Sequence, residues 1–491
     1  MNELKNPIIY TTIIPYLLNL QNAIQIVILH QVNHNNKMYT LRVMNRKNTM
    51  VSSINAVSSS LSSIKVIVVA VVVFFIISIT TCHGENIKIM VNSAPPPWKQ
   101  DRFAISFWVD PMVPPDRFDV EYKRIAEANF TVLLGGFGAN NPTTVTQQIA
   151  AATKNDLKAV PNICDGACVN ISGAWGFQIA DEPDVSKFNS VAKLVADAKA
   201  VGQMAFVNLL PNYAEPKQLG ADTYKDYLAT FMEKVKPNML SVDHYPDFDE
   251  STSKGNNKTK KGYILNLLAL RETSLSVKPN IPFWNFFNAM PYNQVSQYDI
   301  SEAELRWQAY TSLAIGSKGV LYFCYWTPPG AGFSRGQAIM TPTPGNIPNI
   351  ADQSPGYKYP MVQRINSKLR VFGNWLLEKV SSSVVQVSGS GTTFLKHLRW
   401  TSINGSATGP NSEFMLGCYD NNNTIVLVNQ DSNHPALATV GIDDENNNGR
   451  TAMMELDAKS GILVPPRDDS PFLSGFQIAL LPGDARLFTW V

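Results

Sequence analysis

Two acids stand side by side at Asp181-Glu182, after the apolar run Gly176-Phe-Gln-Ile-Ala180 and before Pro183. Carboxyls at the end of a buried segment suit proton transfer. Burial or a neighbouring negative charge keeps one of them protonated near neutral pH, as a general acid requires. Asp243 ends a similar apolar run, in Ser241-Val-Asp-His-Tyr-Pro246, and Asp110 and Asp165 occupy comparable positions. The alternative for Asp181 or Asp184 is to cap the helix that follows, a role in which Glu182 would be poor. Trp108, Tyr245, Trp284, Tyr325 and Trp326 offer aromatic faces near the ends of apolar runs, and His244, Asn285 and Asn288 offer hydrogen-bonding groups. An aromatic ring over the apolar face of a pyranose, with Asn, Asp and His on its hydroxyls, makes a sugar site. Core packing is the competing role for each aromatic, and a structural role competes for His244. No Cys/His cluster has metal-ligand spacing. Neither a metal nor a cofactor is expected.

Those residues need a scaffold that gathers strand ends. Strands are expected at Phe103–Val109, Thr131–Leu134, Lys158–Ile163, Gly176–Ala180, Met204–Leu209, Met239–Val242, Ile281–Phe287 and Gly319–Cys324. Segments of helical spacing alternate with them: Arg117–Ala128, Thr143–Asn155, Phe188–Ala200, Tyr224–Val235, Lys261–Ser276, Ser301–Ala314 and Met361–Leu377. This rhythm fits an α/β fold, a parallel (β/α)8 TIM barrel over residues 101–379, in which chemistry sits at the carboxyl ends of the strands. A doubly wound open sheet is the alternative, weakened by the absence of a Gly-rich phosphate loop after the first strand. Between Ile163 and Gly176 the chain is too short for a third helix. Residues 380–491 change character, with alternating stretches such as Thr424–Asn429 and Phe476–Leu481 set between Asn, Asp, Gly and Pro. They read as an antiparallel β-sandwich.

The whole chain has 491 residues with a net charge of +2, so it offers no electrostatic ground for a nucleic-acid partner. Lys65, the apolar run Val66–Ile79 and the small residues Cys82 and Gly84 match a secretory signal spanning 50–84. The run is shorter than the ~20 residues of a spanning helix, although an uncleaved anchor is the alternative. Residues 1–49 are expected to be an extension outside the native protein or disordered, and 85–100, with Ala94-Pro-Pro-Pro-Trp98, a stiff linker. Export to the secreted or endolysosomal space would make Asn129, Asn170, Asn257, Asn404 and Asn422 glycosylation acceptors. It would also let Cys164 and Cys168 bridge, with Cys324 a core thiol.

Four segments together resemble a family: Trp175-Gly-Phe-Gln-Ile-Ala-Asp-Glu-Pro183, Ser241–Pro246, Pro282-Phe-Trp-Asn-Phe-Phe287, and Leu305-Arg-Trp-Gln-Ala-Tyr310 with Lys318–Trp326. They look like the barrel glycoside hydrolases of the retaining clan, near poorly characterised relatives of bacterial β-galactosidases. Leu481-Pro-Gly-Asp-Ala-Arg-Leu-Phe488 is similar to the end of their accessory β-domain. The resemblance implies a secreted glycosidase acting on oligo- or polysaccharide, with Glu182 as acid/base. The clan's nucleophile is a Glu ending strand seven, yet Ile281–Met290 contains no acid. Asp243 is then the second carboxylate, as nucleophile or base. The alternative is an inactive carbohydrate-binding protein on a glycosidase scaffold.

Overall fold

The computed structural model describes strand segments between Thr11 and Val57, and residues 95–491 except 138, 170, 249–257, 292–298, 331–332, 334–336, 343–351, 389–392, 396–399, 408–412, 443–451 and 474. The chain forms two units, Met1–Ser93 and Ala94–Val491. In the first, Val27–Asn33, Met38–Met44 and Met50–Val57 pair antiparallel in sequence order, with Thr11–Thr12 on the outer edge of Val27–Asn33. These strands lie where the sequence pattern marked no element. The apolar run 66–79 lies outside the described residues.

In the second unit the strands are β1 (Ala104–Phe107), β2 (Val132–Leu134), β3 (Lys158–Val160), β4 (Gly176–Asp181), β5 (Met204–Leu209), β6 (Leu240–Asp243), β7 (Phe283–Asn288) and β8 (Gly319–Phe323). Strands β4 through β8 pair in order and in parallel, and β8 pairs with β1. β2 pairs with β3. The two sheets meet through a few bonds at each junction. Thr131 N–H donates to Ile105 O at 2.9 Å, and Gln178 N–H to Pro161 O at 2.9 Å. The helices are α1 (Phe118–Glu127), α2 (Pro142–Lys154), α3 (Phe188–Ala200), α4 (Tyr224–Val235), α5 (Lys260–Ser276), α6 (Glu302–Ile315) and α7 (Lys358–Leu376). The fold is TIM-barrel-like.

Local chemistry sets the helix ends. Asn141 caps α2 by accepting Thr144 N–H, and Ser301 with Glu304 forms a capping box on α6, which stops at Gly316 in the left-handed conformation. In the third unit the described residues form a single turn, Cys164–Gly166, closed by a Cys164–Cys168 disulfide, where the other units carry a helix.

One core lies inside the strands: Trp175, Met204, Phe206, Trp284, Phe286 and Leu321 pack with Ala104 and Val160. The larger core lies between strands and helices. After α7 come antiparallel strands in two sheets, one of six strands and one of four. Both sheets contribute to a shared apolar core around Trp400, Leu416, Ile425 and Ile478. The strand Thr424–Asn429 is buried along its whole length. Ile425 and Leu427 face the shared core, while Val426 and Val428 join the core that includes Leu305 and Leu313 of α6. A strand covered on both faces reads as an unbroken apolar run.

Candidate active site

Side chains alternate along a strand, so residues two apart share a face. Ala104 on β1, Met204 and Phe206 on β5, and Trp284 and Phe286 on β7 belong to the interior core. The same alternation turns Ser106 and Trp108, Asn208, Ser241 and Asp243 inward at the carboxyl ends of their strands. On β4 the register shifts between Gln178 and Ala180. This bulge brings Asp181 level with Asn208, and Asn208 Nδ2 donates to Asp181 Oδ1 at 3.1 Å. Ser241 Oγ in turn donates to Asn208 Oδ1 at 3.1 Å.

The next residue completes the device. Glu182 has a φ of 45°, in the left-handed region a non-glycine residue rarely adopts. Its N–H donates to Asn208 O at 2.9 Å, and Pro183 O accepts from the Tyr227 hydroxyl of α4 at 2.8 Å. Two consecutive acids, which a regular strand would send to opposite faces, therefore both act on Asp243. The Glu182 and Asp243 carboxyls share a hydrogen bond. Such a bond requires that one of the two be protonated.

The electrostatics follow from this crowding. Burial raises Glu182 above the usual carboxylate range, the Asp181 charge adds to the effect, and the hydrogen bond from Asp243 opposes it. Asp243 is 8% exposed and is pushed well up, by burial first and then by the charges of Glu182 and Asp181. Burial also raises Asp181, against the Asn208 hydrogen bond. The Glu182 and Asp243 carboxyls therefore titrate together rather than independently. Asp181 and Glu182 are exposed, whereas Asp243 is buried.

Two of the expected aromatics join this site. Trp108 is half-buried, edge-on to Phe137 and Phe286 at 5.7 and 5.8 Å between centroids. Tyr245 is half-buried against Phe323, at 5.1 Å. The other three are core residues. Trp284 stacks on Trp175 inside the strands and donates its Nε1–H to Gln100. Tyr325 stacks on Phe107 and is fully enclosed. Trp326 is also fully enclosed, its backbone pairing with Met340.

The polar candidates divide in the same way. His244 points away from Asp243, buried edge-on between Tyr213 and Tyr263. Asn285 faces outward and donates to Tyr263 Oη and Ser312 Oγ. Asn288 is 5% exposed; its backbone N–H and C=O are both held by Gln308, and its Oδ1 accepts Met290 N–H. Asp110 is fully buried and accepts from Gly136 N–H, Phe137 N–H and Gln148 Nε2, so it fastens the loop after β2 and cannot reach a sugar. Burial nevertheless pushes its carboxyl up to about 7 against those donors. Asp184 is a cap, accepting Ser186 N–H at 2.8 Å. Gln308 is structural, and Arg306 holds Pro482 O.

Asn208, Ser241 and Phe323 were not expected at the site. An Asn within the apolar run Met204–Leu209 was the available signal, because an amide buried in a strand needs a partner. Among the glycosylation candidates, Asn129 is half-buried, with its Nδ2 donating to Gln363 O. Asn170 and Asn257 lie outside the described residues. Asn422 Oδ1 accepts from Ser383 Oγ in an exposed turn region. Asn404 lies on the strand Trp400–Ala407. Among the described residues no group of His, Cys, Asp and Glu could hold a metal ion, and no helix is long and apolar enough to cross a membrane.

No family model matches the chain, and no curated protein matches it. Solved structures that resemble it include a β-galactosidase from the psychrophilic Marinomonas ef1, at TM-score 0.42 and 8% identity over 56% of this chain and 62% of that one. An endo-β-1,4-mannanase from Thermotoga petrophila has TM-score 0.39 and 11% identity, over 70% of this chain and 96% of its own. A truncated 3-deoxy-D-arabino-heptulosonate 7-phosphate synthase from Thermotoga maritima has TM-score 0.31 and 11% identity, over 60% and 96%. These enzymes have different chemistries, and likeness at this level assigns none of them to the chain.

Proposed function

We propose that the chain is a glycoside hydrolase, with Glu182 as general acid/base at the mouth of a closed (β/α)8 barrel that is followed by a β-sandwich. The observation that carries this reading is the hydrogen bond between the Glu182 and Asp243 carboxyls, with Asp181 alongside. Three acids crowded together, one of them buried, disfavour full ionisation of the cluster, which supports a proton held by the pair. Asp243, pushed well up, donates that proton toward Glu182, and Glu182, the solvent-facing member of the pair, is the one that can pass it to a leaving-group oxygen. Trp108 and Tyr245 flank the mouth as sugar-stacking faces. The bonds that join β1 to β2 and β3 to β4 support barrel closure, and the core shared by the two carboxyl-terminal sheets supports the sandwich.

Asp243 is better placed as the proton partner of Glu182 than as nucleophile or as a base acting across the ring. A retaining pair stands about 5 Å apart and an inverting pair about 6.5–9.5 Å. Carboxyls in hydrogen-bond contact are closer than either, which leaves no space for an anomeric carbon. The apolar run 66–79 and the Cys164–Cys168 disulfide support export through an oxidising compartment.

The test is turnover of a panel of aryl glycosides and oligosaccharides by the purified protein. Hydrolysis should fall by about 10²–10⁴-fold in Glu182→Gln. Unchanged hydrolysis in that variant refutes the assignment. Glycan binding without turnover, retained in Glu182→Gln, would instead establish the carbohydrate-binding alternative, which the acid-free β7 favours.

A further inference from the structure

We propose that the sugar taken by this mouth carries a 2-acetamido group, and that the acetamido oxygen, rather than a side chain, is the nucleophile. The proposal rests on the glycosidase reading above. It starts from the position of the second carboxyl. Asp243 is in hydrogen-bond contact with the acid and is nearly enclosed. The segment Ile281–Met290 offers no acid in its place. Its two asparagines are engaged elsewhere: Asn285 Nδ2 donates toward α5 and α6, and Asn288 Oδ1 accepts from the backbone of its own loop. An acetamido group supplies the missing nucleophile from within the substrate, at an effective concentration no free group reaches.

A second, independent observation concerns buried polar atoms. Among the described residues, Asp243 Oδ1 is buried with no hydrogen-bond partner, and so is Ser106 Oγ on the inward face of β1. A buried carboxylate oxygen without a donor costs free energy that an arriving donor recovers. An amide N–H donates, and its bond is stronger to a carboxylate oxygen than to the carbonyl oxygen of a protonated acid, so it favours the ionised form.

The chemistry is consistent. An acetamido N–H bonded to Asp243 favours the Asp243 anion, so the shared proton passes to Glu182 beside the leaving oxygen. The acetamido carbonyl oxygen bonds to C1 as the bond from C1 to the leaving oxygen breaks. That oxygen keeps the electron pair and takes the Glu182 proton, leaving as an alcohol. The cyclic oxazolinium ion that remains has its N–H⁺ against the Asp243 carboxylate. Water then attacks C1, the ring C1–O bond breaks back to the amide, and Glu182 takes the water proton. The sum is glycoside plus water giving alcohol plus free sugar. Two displacements at C1 leave its configuration unchanged, and the first needs the acetamido group trans to the leaving group. The substrate class is therefore a β-linked N-acetylhexosamine of gluco or galacto configuration.

The experiment uses the full chain and three probes. An aryl N-acetyl-β-glucosaminide should be hydrolysed about 100-fold or more faster than the aryl β-glucoside, which has a hydroxyl in place of the acetamido group. Across N-acetyl, N-fluoroacetyl, N-difluoroacetyl and N-trifluoroacetyl substrates, kcat/KM should fall by about tenfold or more in total, because fluorine weakens the carbonyl nucleophile. The bicyclic thiazoline analogue of the oxazolinium ion should bind by calorimetry, and binding should be lost in Asp243→Asn but kept in Glu182→Gln. A flat fluorine series overturns the proposal, as does a plain glucoside hydrolysed as fast as its N-acetyl counterpart. In either case Glu182 still stands as the acid if Glu182→Gln is inactive. Thiazoline binding without turnover of any N-acetylhexosaminide overturns the nucleophile assignment. No hydrolysis of any glycoside and no thiazoline binding overturns both readings. The wild-type series decides even if Asp243→Asn does not fold.

Discussion

The carboxyls of Glu182 and Asp243 share a hydrogen bond although their strands, β4 and β6, are separated by β5. The contact exists because a bulge and a left-handed residue turn the end of β4 inward, while Asp243 arrives by ordinary alternation on β6. The charge of Asp181 acts on both members of the pair.

Removing that charge should move the pH profile. Burial is the first cause of the raised Glu182 carboxyl and Asp181 the second, so Asp181→Asn leaves the pair raised, but less so. An Asn at 181 can still accept from Asn208, which preserves the local bond. The alkaline limb of kcat/KM should shift toward lower pH by roughly half a pH unit or more. A limb that stays in place, or moves to higher pH, would show that Asp181 does not act on the proton.

The backbone at Glu182 should be measurably strained. A left-handed conformation costs a non-glycine residue about 1–2 kcal/mol, and glycine recovers this less its greater freedom when unfolded. Glu182→Gly should therefore raise stability by about 1 kcal/mol in urea denaturation while removing activity. A variant less stable than wild type would mean that the Glu182 side chain stabilises the fold beyond the strain it imposes.

Asp110 gives a stability-versus-pH prediction. Its folded value of about 7 lies above the ordinary carboxylate value, so the folded chain holds this proton more tightly than the unfolded chain. Its contribution favours folding at low pH and is lost as pH rises from about 4 through about 7, a change on the order of 2–4 kcal/mol. Asp110→Asn should flatten this part of the curve. The Asn carbonyl can accept Gly136 and Phe137 N–H, and its amide can donate to Gln148 Oε1, which is buried without a partner among the described residues, once the Gln148 amide turns over. Denaturation midpoints from pH 4 to 8 check the difference in slope; parallel curves would contradict it.

The contact between the carboxyl-terminal sheets and α6 should tolerate no added atom at Gly417. A Cβ there would lie 2.0 Å from the Ala314 carbonyl oxygen. Backbone cannot yield as a side-chain tip can, so Gly417→Ala should cost about 3 kcal/mol or more. A loss below about 1 kcal/mol in chemical denaturation would show that the sheet can move off the helix.

Much of this molecule was legible before folding. The helices Phe188–Ala200 and Tyr224–Val235 and the strand Met204–Leu209 fall where hydrophobic period and flanking residues place them. The missing third helix followed from chain length alone, since Ile163 to Gly176 leaves room only for a turn. Acids at strand ends singled out Asp181, Glu182 and Asp243, but the same pattern also singled out Asp110, which fastens a loop instead.

Tertiary structure decided which of those groups meet. Alternation predicts opposite faces for Asp181 and Glu182, and a bulge has no sequence period that would reveal it. Whether an aromatic at a strand end faces the mouth or the helices depends on one residue of register. Trp108 and Tyr245 consequently line the site, while Trp284, Tyr325 and Trp326 fill cores. Hydropathy also cannot tell a carboxylate sealed by donors, as Asp110 is, from one that awaits a ligand. Local pattern specified the elements and the acids among them, because each depends on neighbours in the chain. The contact between Glu182 and Asp243 joins residues 61 positions apart, the separation of 182 from 243, and only the folded chain brings them together.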